Sequence, residues 1–307
     1  MSTAGVPPAD EDEPPEPGRL DRVRAEFEDL TARRVGLYAV LFALAAFYLA
    51  PLESGVLTSI KTSKAFAQTI PFAPPAPGGF TTHAWEVAIR EMTDGLVNSL
   101  FLAVPATILS AFLGSMTAYG LTSLNWRGQL GVVTLVIAGI FIPYQAVLVP
   151  LSRFWALVDL SVVLSQRWAD LVELIVTHTA YGIPICTLLF RNHYQSFSEE
   201  MLEAARLDGA SAFTIYRRIV LPLSLPMFAV TLIYQFTQVW NDLLFALILS
   251  NTPSSHVVTY DLVNLTGGIV QTFNTQMAGA FIAAVPTLLV YVFFGEQFAK
   301  GVAGEST

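Results

Sequence analysis

Four polar side chains stand where few are expected. Tyr234, Gln235, Gln238 and Asn241, with Asp242 beside them, interrupt an apolar stretch that runs from Met227 to Leu249. Amides and hydroxyls exchange hydrogen bonds with a polyhydroxylated solute, and aromatic rings stack on a sugar face. Leaving such groups against lipid is costly, so they either line a wet pathway or tie neighbouring helices together; the residues alone leave both readings open. A second constellation precedes it: Glu203, Ala204, Ala205, Asp208 and Gly209, then Leu221-Pro222. The Glu203 carboxylate can accept charge-assisted bonds from a partner's Arg or Lys, the alanines let another surface come close, and Gly209 permits a tight turn. Covalent chemistry has no comparable candidate. His83, His178, His193 and His256 are scattered, Cys186 is the single cysteine, and no Gly-Lys pair exists from which a phosphate-cradling loop could be built. No catalytic residue, no metal site and no cofactor on this chain are expected.

The elements that must position these residues follow from composition. Of 307 residues, 53% are hydrophobic and 13% charged, against about 25% charged in a soluble domain. A soluble enzyme is excluded on that ground, and the net charge of -8 has the wrong sign for a nucleic-acid binder. Uncharged or nearly uncharged runs lie at about 35–52, 96–124, 130–151, 171–190, 227–249 and 277–295. The shortest, 18 residues, makes a helix of about 27 Å, close to the hydrocarbon thickness of a bilayer. The expected fold is all-α: a polytopic membrane protein with six transmembrane helices over 34–300. Residues 1–33 form an acidic, proline-rich stretch expected to be a disordered cytoplasmic tail, and 301–307 a short carboxyl-terminal tail. Nothing at the start reads as a signal peptide.

With six spans both termini share a side. Placing them inside puts eleven Lys and Arg in cytoplasmic segments and five (Lys61, Lys64, Arg90, Arg153, Arg167) outside, so both ends are expected in the cytoplasm of a cell-membrane protein. The stretch 191–222 is then a cytoplasmic loop. Ser198 can cap a helix there, Glu199 and Glu200 suit its first turn, and Gly209 suits a left-handed stop. Met201, Ala204, Ala205 and Leu207 give this helix an apolar side, and a second short helix runs from Ser211 toward Pro222 and Pro226. In the second span Ala111, Gly114, Ser115 and Ala118 allow close helix approach. His178 is either a pathway residue or an interhelical donor.

Glu203-Ala204-Ala205, a three-residue spacer, Gly209, and Ile219-Val220-Leu221-Pro222 resemble the EAA loop of permease subunits of binding-protein-dependent ABC importers. Thr58-Ser59-Ile60-Lys61, Asn98-Ser99, Trp126-Arg127-Gly128 and Trp240-Asn241-Asp242 are similar to the carbohydrate-import branch related to the maltose permease G subunit. The resemblance implies a subunit forming half of a sugar pathway, coupled through Glu203, Ala204, Ala205, Asp208, Gly209, Leu221 and Pro222 to two ABC ATPase subunits that carry ATP and Mg. It further implies a second, homologous permease subunit and an extracellular or periplasmic solute-binding protein. Two departures stand out: Ser198 occupies a position where the family often has Pro, and the carboxyl end lacks the family's Gly/Ala-rich basic tail. The alternatives are a permease for a polyol, glycerol phosphate or another small solute, and an ion-coupled secondary transporter. The last would be favoured by a mid-span carboxylate or broken helices.

Overall fold

A computed structural model describes residues 32–124, 126–265 and 272–303. The expected acidic tail lies outside the described residues up to residue 31, as does the end of the carboxyl-terminal tail from residue 304. The chain divides into two compact units, 1–54 and 55–307. Helix α1 (Ala32–Ser59) begins in the first. Its most apolar window has a mean hydropathy of 2.1 and no buried residue. A helix that exposes Phe42 and Phe47 so fully needs a nonaqueous solvent around it.

In the second unit a short helix, α2 (Ser63–Gln68), precedes α3 (His83–Thr122), α4 (Gln129–Ile140), α5 (Tyr144–Val158) and α6 (Gln166–Tyr194). Then come α7 (Glu199–Leu207), α8 (212–223, with a π turn over Tyr216–Val220) and α9 (Leu225–Trp240). The final helices are α10 (Leu244–Leu249), α11 (Val258–Asn264) and α12 (Phe273–Ala303). Among the described residues there is no strand, only an isolated bridge between Lys61 and Phe80. Five helices are long and apolar enough to cross a bilayer, and six if the bent α8–α9 pair counts as one span.

Two of the expected apolar runs are not single helices. The run 130–151 breaks between α4 and α5, where Pro143 adopts an extended backbone; proline disfavours helix in the residue before it and lacks the N–H that would continue the ladder. The run 227–249 breaks after Trp240, and Asp242 Oδ2 accepts from Phe245 N at 3.0 Å to open α10. Broken helices therefore occur here without deciding between an ABC permease and a secondary transporter.

The bundle centres on α3 and α6, which run parallel, since Asn98, Ser110 and Ser115 contact Arg167, Thr179 and Tyr194 in that order. Close approach follows from the small-residue stripe: Ala111, Gly114, Ser115 and Ala118 are buried, and a Cβ at Gly114 would overlap Cys186. Cys186 is a free, buried cysteine that serves here as a small packing residue. Gly182 lets Gln235 and Ser110 meet in the same way. Around this pair an apolar core gathers Met92, Leu102, Trp155, Trp240 and Phe245.

One end of the bundle is closed by buried polar groups. Asp170, fully buried, accepts from Gln166 Nε2, Asn251 N and Nδ2, and Ser255 Oγ at 2.6 to 3.2 Å. Asn98 Nδ2 donates to the carbonyls of Ser254 and His256, while its Oδ1 accepts from Arg167. Ser99 Oγ accepts from Val258 N at 2.8 Å. Lys61, also fully buried, donates through Nζ to the carbonyls of Ile70 and Pro71, holding the proline-rich loop against the helix ends.

Candidate coupling loop and translocation face

At the opposite end α7 forms for reasons legible in its ends. Ser198 Oγ accepts from Met201 N at 3.3 Å and donates to Glu200 Oε2 at 2.7 Å, satisfying one of the orphan donors of the first turn. At the other end Gly209 has φ +81°, Gly209 N donates to Arg206 O, and Ala210 N donates to Ala205 O. That paired 5→2 and 6→1 pattern is the Schellman stop, and a side chain at Gly209 would be strained by its left-handed backbone. Two residues on, Ser211 Oγ caps Thr214 N at 3.2 Å and starts α8. The Leu221-Pro222 ending lies where α8 meets α9 at a bend of 76°. Pro222 and Pro226 flank Ser224, so ladder donors are missing on both sides of the bend.

The apolar side expected of α7 divides in two. Met201 and Ala205 are partly buried, but Ala204 is exposed and Leu207 is 89% exposed. The side chain that anchors the helix is Leu202, 7% exposed, packed in a cluster with Phe190, Tyr194, Ile215 and Tyr216. Leu202 lies one turn beyond the Ser198 cap, and that spacing is the signal by which the sequence could have revealed it. Polar ties reinforce the anchor. Ser115 Oγ meets the hydroxyls of Tyr194 and Tyr216 at 2.6 and 2.9 Å, Tyr119 OH donates to Ala212 O at 3.0 Å, and Arg206 Nη2 donates to Ser123 O at 2.6 Å. Glu203, Ala204, Asp208 and Gly209 all remain exposed, as does Phe213. The loop is held firmly from beneath and leaves an acidic and apolar surface uncovered.

Along α9 the four candidate pathway residues separate. Tyr234, Gln238 and Asn241 recur at helical spacing on one exposed stripe, with Gln238 Nε2 3.4 Å from Tyr234 OH and Asn241 Nδ2 donating to Thr237 O at 2.9 Å. Gln235 points the other way, is buried, and reaches Ser110 Oγ at 3.5 Å. It ties helices together. His178 packs edge-on to Phe245, its Nε2 3.5 Å from Asp242 Oδ2 without the alignment of a hydrogen bond. Beside them Tyr144 and Tyr181 meet edge to face at 4.9 Å, an aromatic cluster that no spacing in the sequence announces. No three His, Cys, Asp or Glu side chains gather as a metal centre among the described residues.

Residues 84–302 match the family described as the binding-protein-dependent transport system inner membrane component. The chain belongs to that family. The chain is similar to a xylose/arabinose import permease protein of Haloferax volcanii, 48% identical over 94% of this chain and 98% of that one. A probable ABC transporter permease protein of Pyrococcus horikoshii is 41% identical over 89% and 96% of the two chains. The fold is shared with a bacterial ABC transporter involved in the import of the acidic polysaccharide alginate, at a TM-score of 0.71 and 18% identity, over 93% of this chain and all of that one. This binding-protein-dependent permease is therefore a multi-pass membrane protein and a transport subunit, and the resemblance carried by Glu203 to Pro222 named the right family.

Proposed function

We propose that this permease forms half of the translocation pathway of an ABC importer for a sugar, and that α7 is the lever through which two ATPase subunits move it. The observation that carries the reading is the loop's construction: capped at both ends, anchored by Leu202 and Arg206, and bare at Glu203, Ala204, Asp208 and Leu207. A rigid helix fixed on one side and open on the other transmits a push; a mere connector has no need of caps. ATP and Mg belong to the ATPase partners. A second, similar permease chain faces the Tyr234–Gln238–Asn241 stripe, a solute-binding protein delivers cargo on the outer side, and both termini lie in the cytoplasm. The polar stripe supports cargo contact because its groups match a polyol surface and the described residues of this chain leave them exposed. Given the sugars named for the Haloferax volcanii relative, xylose and arabinose are the first cargoes to try.

The test is reconstitution of the permease with its candidate ATPase, second permease and binding-protein partners, with sugar-stimulated ATP hydrolysis and uptake as readouts. Stimulation that requires all components supports the assignment. A Glu203→Lys variant with full stimulation and uptake overturns the lever.

A further inference from the structure

A cavity of 240 Å³ opens between the end of α3, the start of α4, the end of α6 and α7, and the transport reading makes no use of it. Two guanidiniums line it, Arg191 and Arg206, with Glu199 as the carboxylate on the same wall. Neither arginine makes an ion pair among the described residues. Arg206 spends one nitrogen on the Ser123 carbonyl. Turning the Gln195 amide so that its oxygen faces Arg191 lets it accept from Nη1 and Nη2 at 3.2 Å each, while Arg191 Nε is enclosed without a hydrogen-bond partner. Arg206 is exposed and Arg191 half-buried, so the uncompensated group is the enclosed Arg191 Nε, a charged donor whose desolvation no acceptor among the described residues offsets.

We propose that this cavity binds a phosphate group. Guanidinium forks match phosphate oxygens in pairs, and a phosphate carries enough oxygens to engage arginines from two different helices at once, which a carboxylate does less well. The group comes either from a soluble phosphorylated compound or from a lipid headgroup at the bundle's end. Bridging Arg191 on α6 to Arg206 on α7, it joins the bundle to the loop. On the lever reading, the occupant restrains the lever; binding itself does not depend on that reading.

The experiment uses the assembled transporter in phosphatidylcholine nanodiscs, titrated with inorganic phosphate at constant ionic strength, with thermal unfolding as the readout. A saturable rise in Tm is expected, with a midpoint weakened about tenfold or more in Arg191→Gln and unchanged in Arg217→Gln, whose exposed guanidinium lies off the cavity. A second arm replaces the lipid with phosphatidylglycerol and omits phosphate. Stabilisation there that depends on Arg191, with none from soluble phosphate, assigns the group to lipid. Arg191→Lys keeps the charge without the fork and covers the case in which Arg191→Gln does not fold; it should bind with intermediate strength. No Arg191-dependent stabilisation in either arm overturns the proposal, as does equal loss in Arg191→Gln and Arg217→Gln. A wild-type response in Arg191→Lys does so too. Because Tm is read without transport, a phosphate site can survive even if Glu203→Lys leaves coupling intact, and the two failures remain distinct.

Discussion

The two ends of the bundle are held by opposite means. At one, Asp170, Asn98, Ser99 and Lys61 are buried and spend their polar atoms within the chain. At the other, the loop is fixed by Leu202 and Arg206 of α7 and by hydroxyl ties from α3 to α8, and the charged face of α7 is bare. A buried, fully partnered network makes an end rigid, because any movement strands a polar group away from water. An apolar anchor with a few polar ties at its edge, and a bare outer face, allows the loop to move as a rigid body while staying attached. The same chain therefore has a stiff end and an end suited to being moved.

The comparison breaks first at its functional edge. Glu203→Lys should leave the fold intact, because the side chain is exposed, yet cut sugar-stimulated ATP hydrolysis and uptake by about tenfold or more, the usual span of a coupling free energy. Uptake and thermal unfolding measured on the same sample separate the two effects. Next, Asp170→Ala strips the acceptor from Gln166, Asn251 and Ser255 at once. A loss of about 3 kcal/mol is expected from the stranded donors, read as a large fall in Tm. If the two ends were alike, this variant and Glu203→Lys would affect stability equally.

Leu202→Ala tests the anchor: removing a buried leucine costs about 2–4 kcal/mol locally, and the expected readout is faster hydrogen exchange confined to α7 and α8. Gly209→Ala is milder. Its φ of +81° makes any side chain unfavourable by about 1 kcal/mol, and coupling should fall more than stability because the angle between α7 and α8 shifts.

The smallest effect is one of pH. Burial, with the nearby Asp94 and Glu91 carboxylates adding to it and a Gly95 backbone bond opposing, lifts Asp261 to about 6 from 3.8. The folded protein therefore holds that proton more tightly than the unfolded chain. This contribution to stability is complete below the unfolded value and is lost as pH rises through about 6. His256, with Nδ1 3.7 Å from Asp261, is pushed down by burial and opposes the trend at the acid side. Asp261→Asn should flatten the decline in Tm between about pH 4 and 6.

Much of the loop is legible in the amino-acid order alone. Ser198, Gly209, Ser211 and Pro222 each act through their own backbone, so a cap, a left-handed stop or a missing donor can be read from residue type and spacing. Long-range choices are not legible in that way. Whether Gln235 faces a pathway or Ser110 depends on Gly182 making room on another helix. The 130–151 run looks continuous by hydropathy although Pro143 divides it, because apolar character reports the solvent and not the ladder.

Composition and local patterning determined by themselves that this chain is helical and lipid-embedded, and its loop motif named the family. Those properties follow from how each short segment meets water, lipid and its own backbone. Tertiary structure alone decided that Leu202 anchors the loop, that Asp170 and Asn98 seal the far end, and that Arg191 and Arg206 face one cavity. These arise when residues from different segments are brought side by side, and no local periodicity encodes which segments meet.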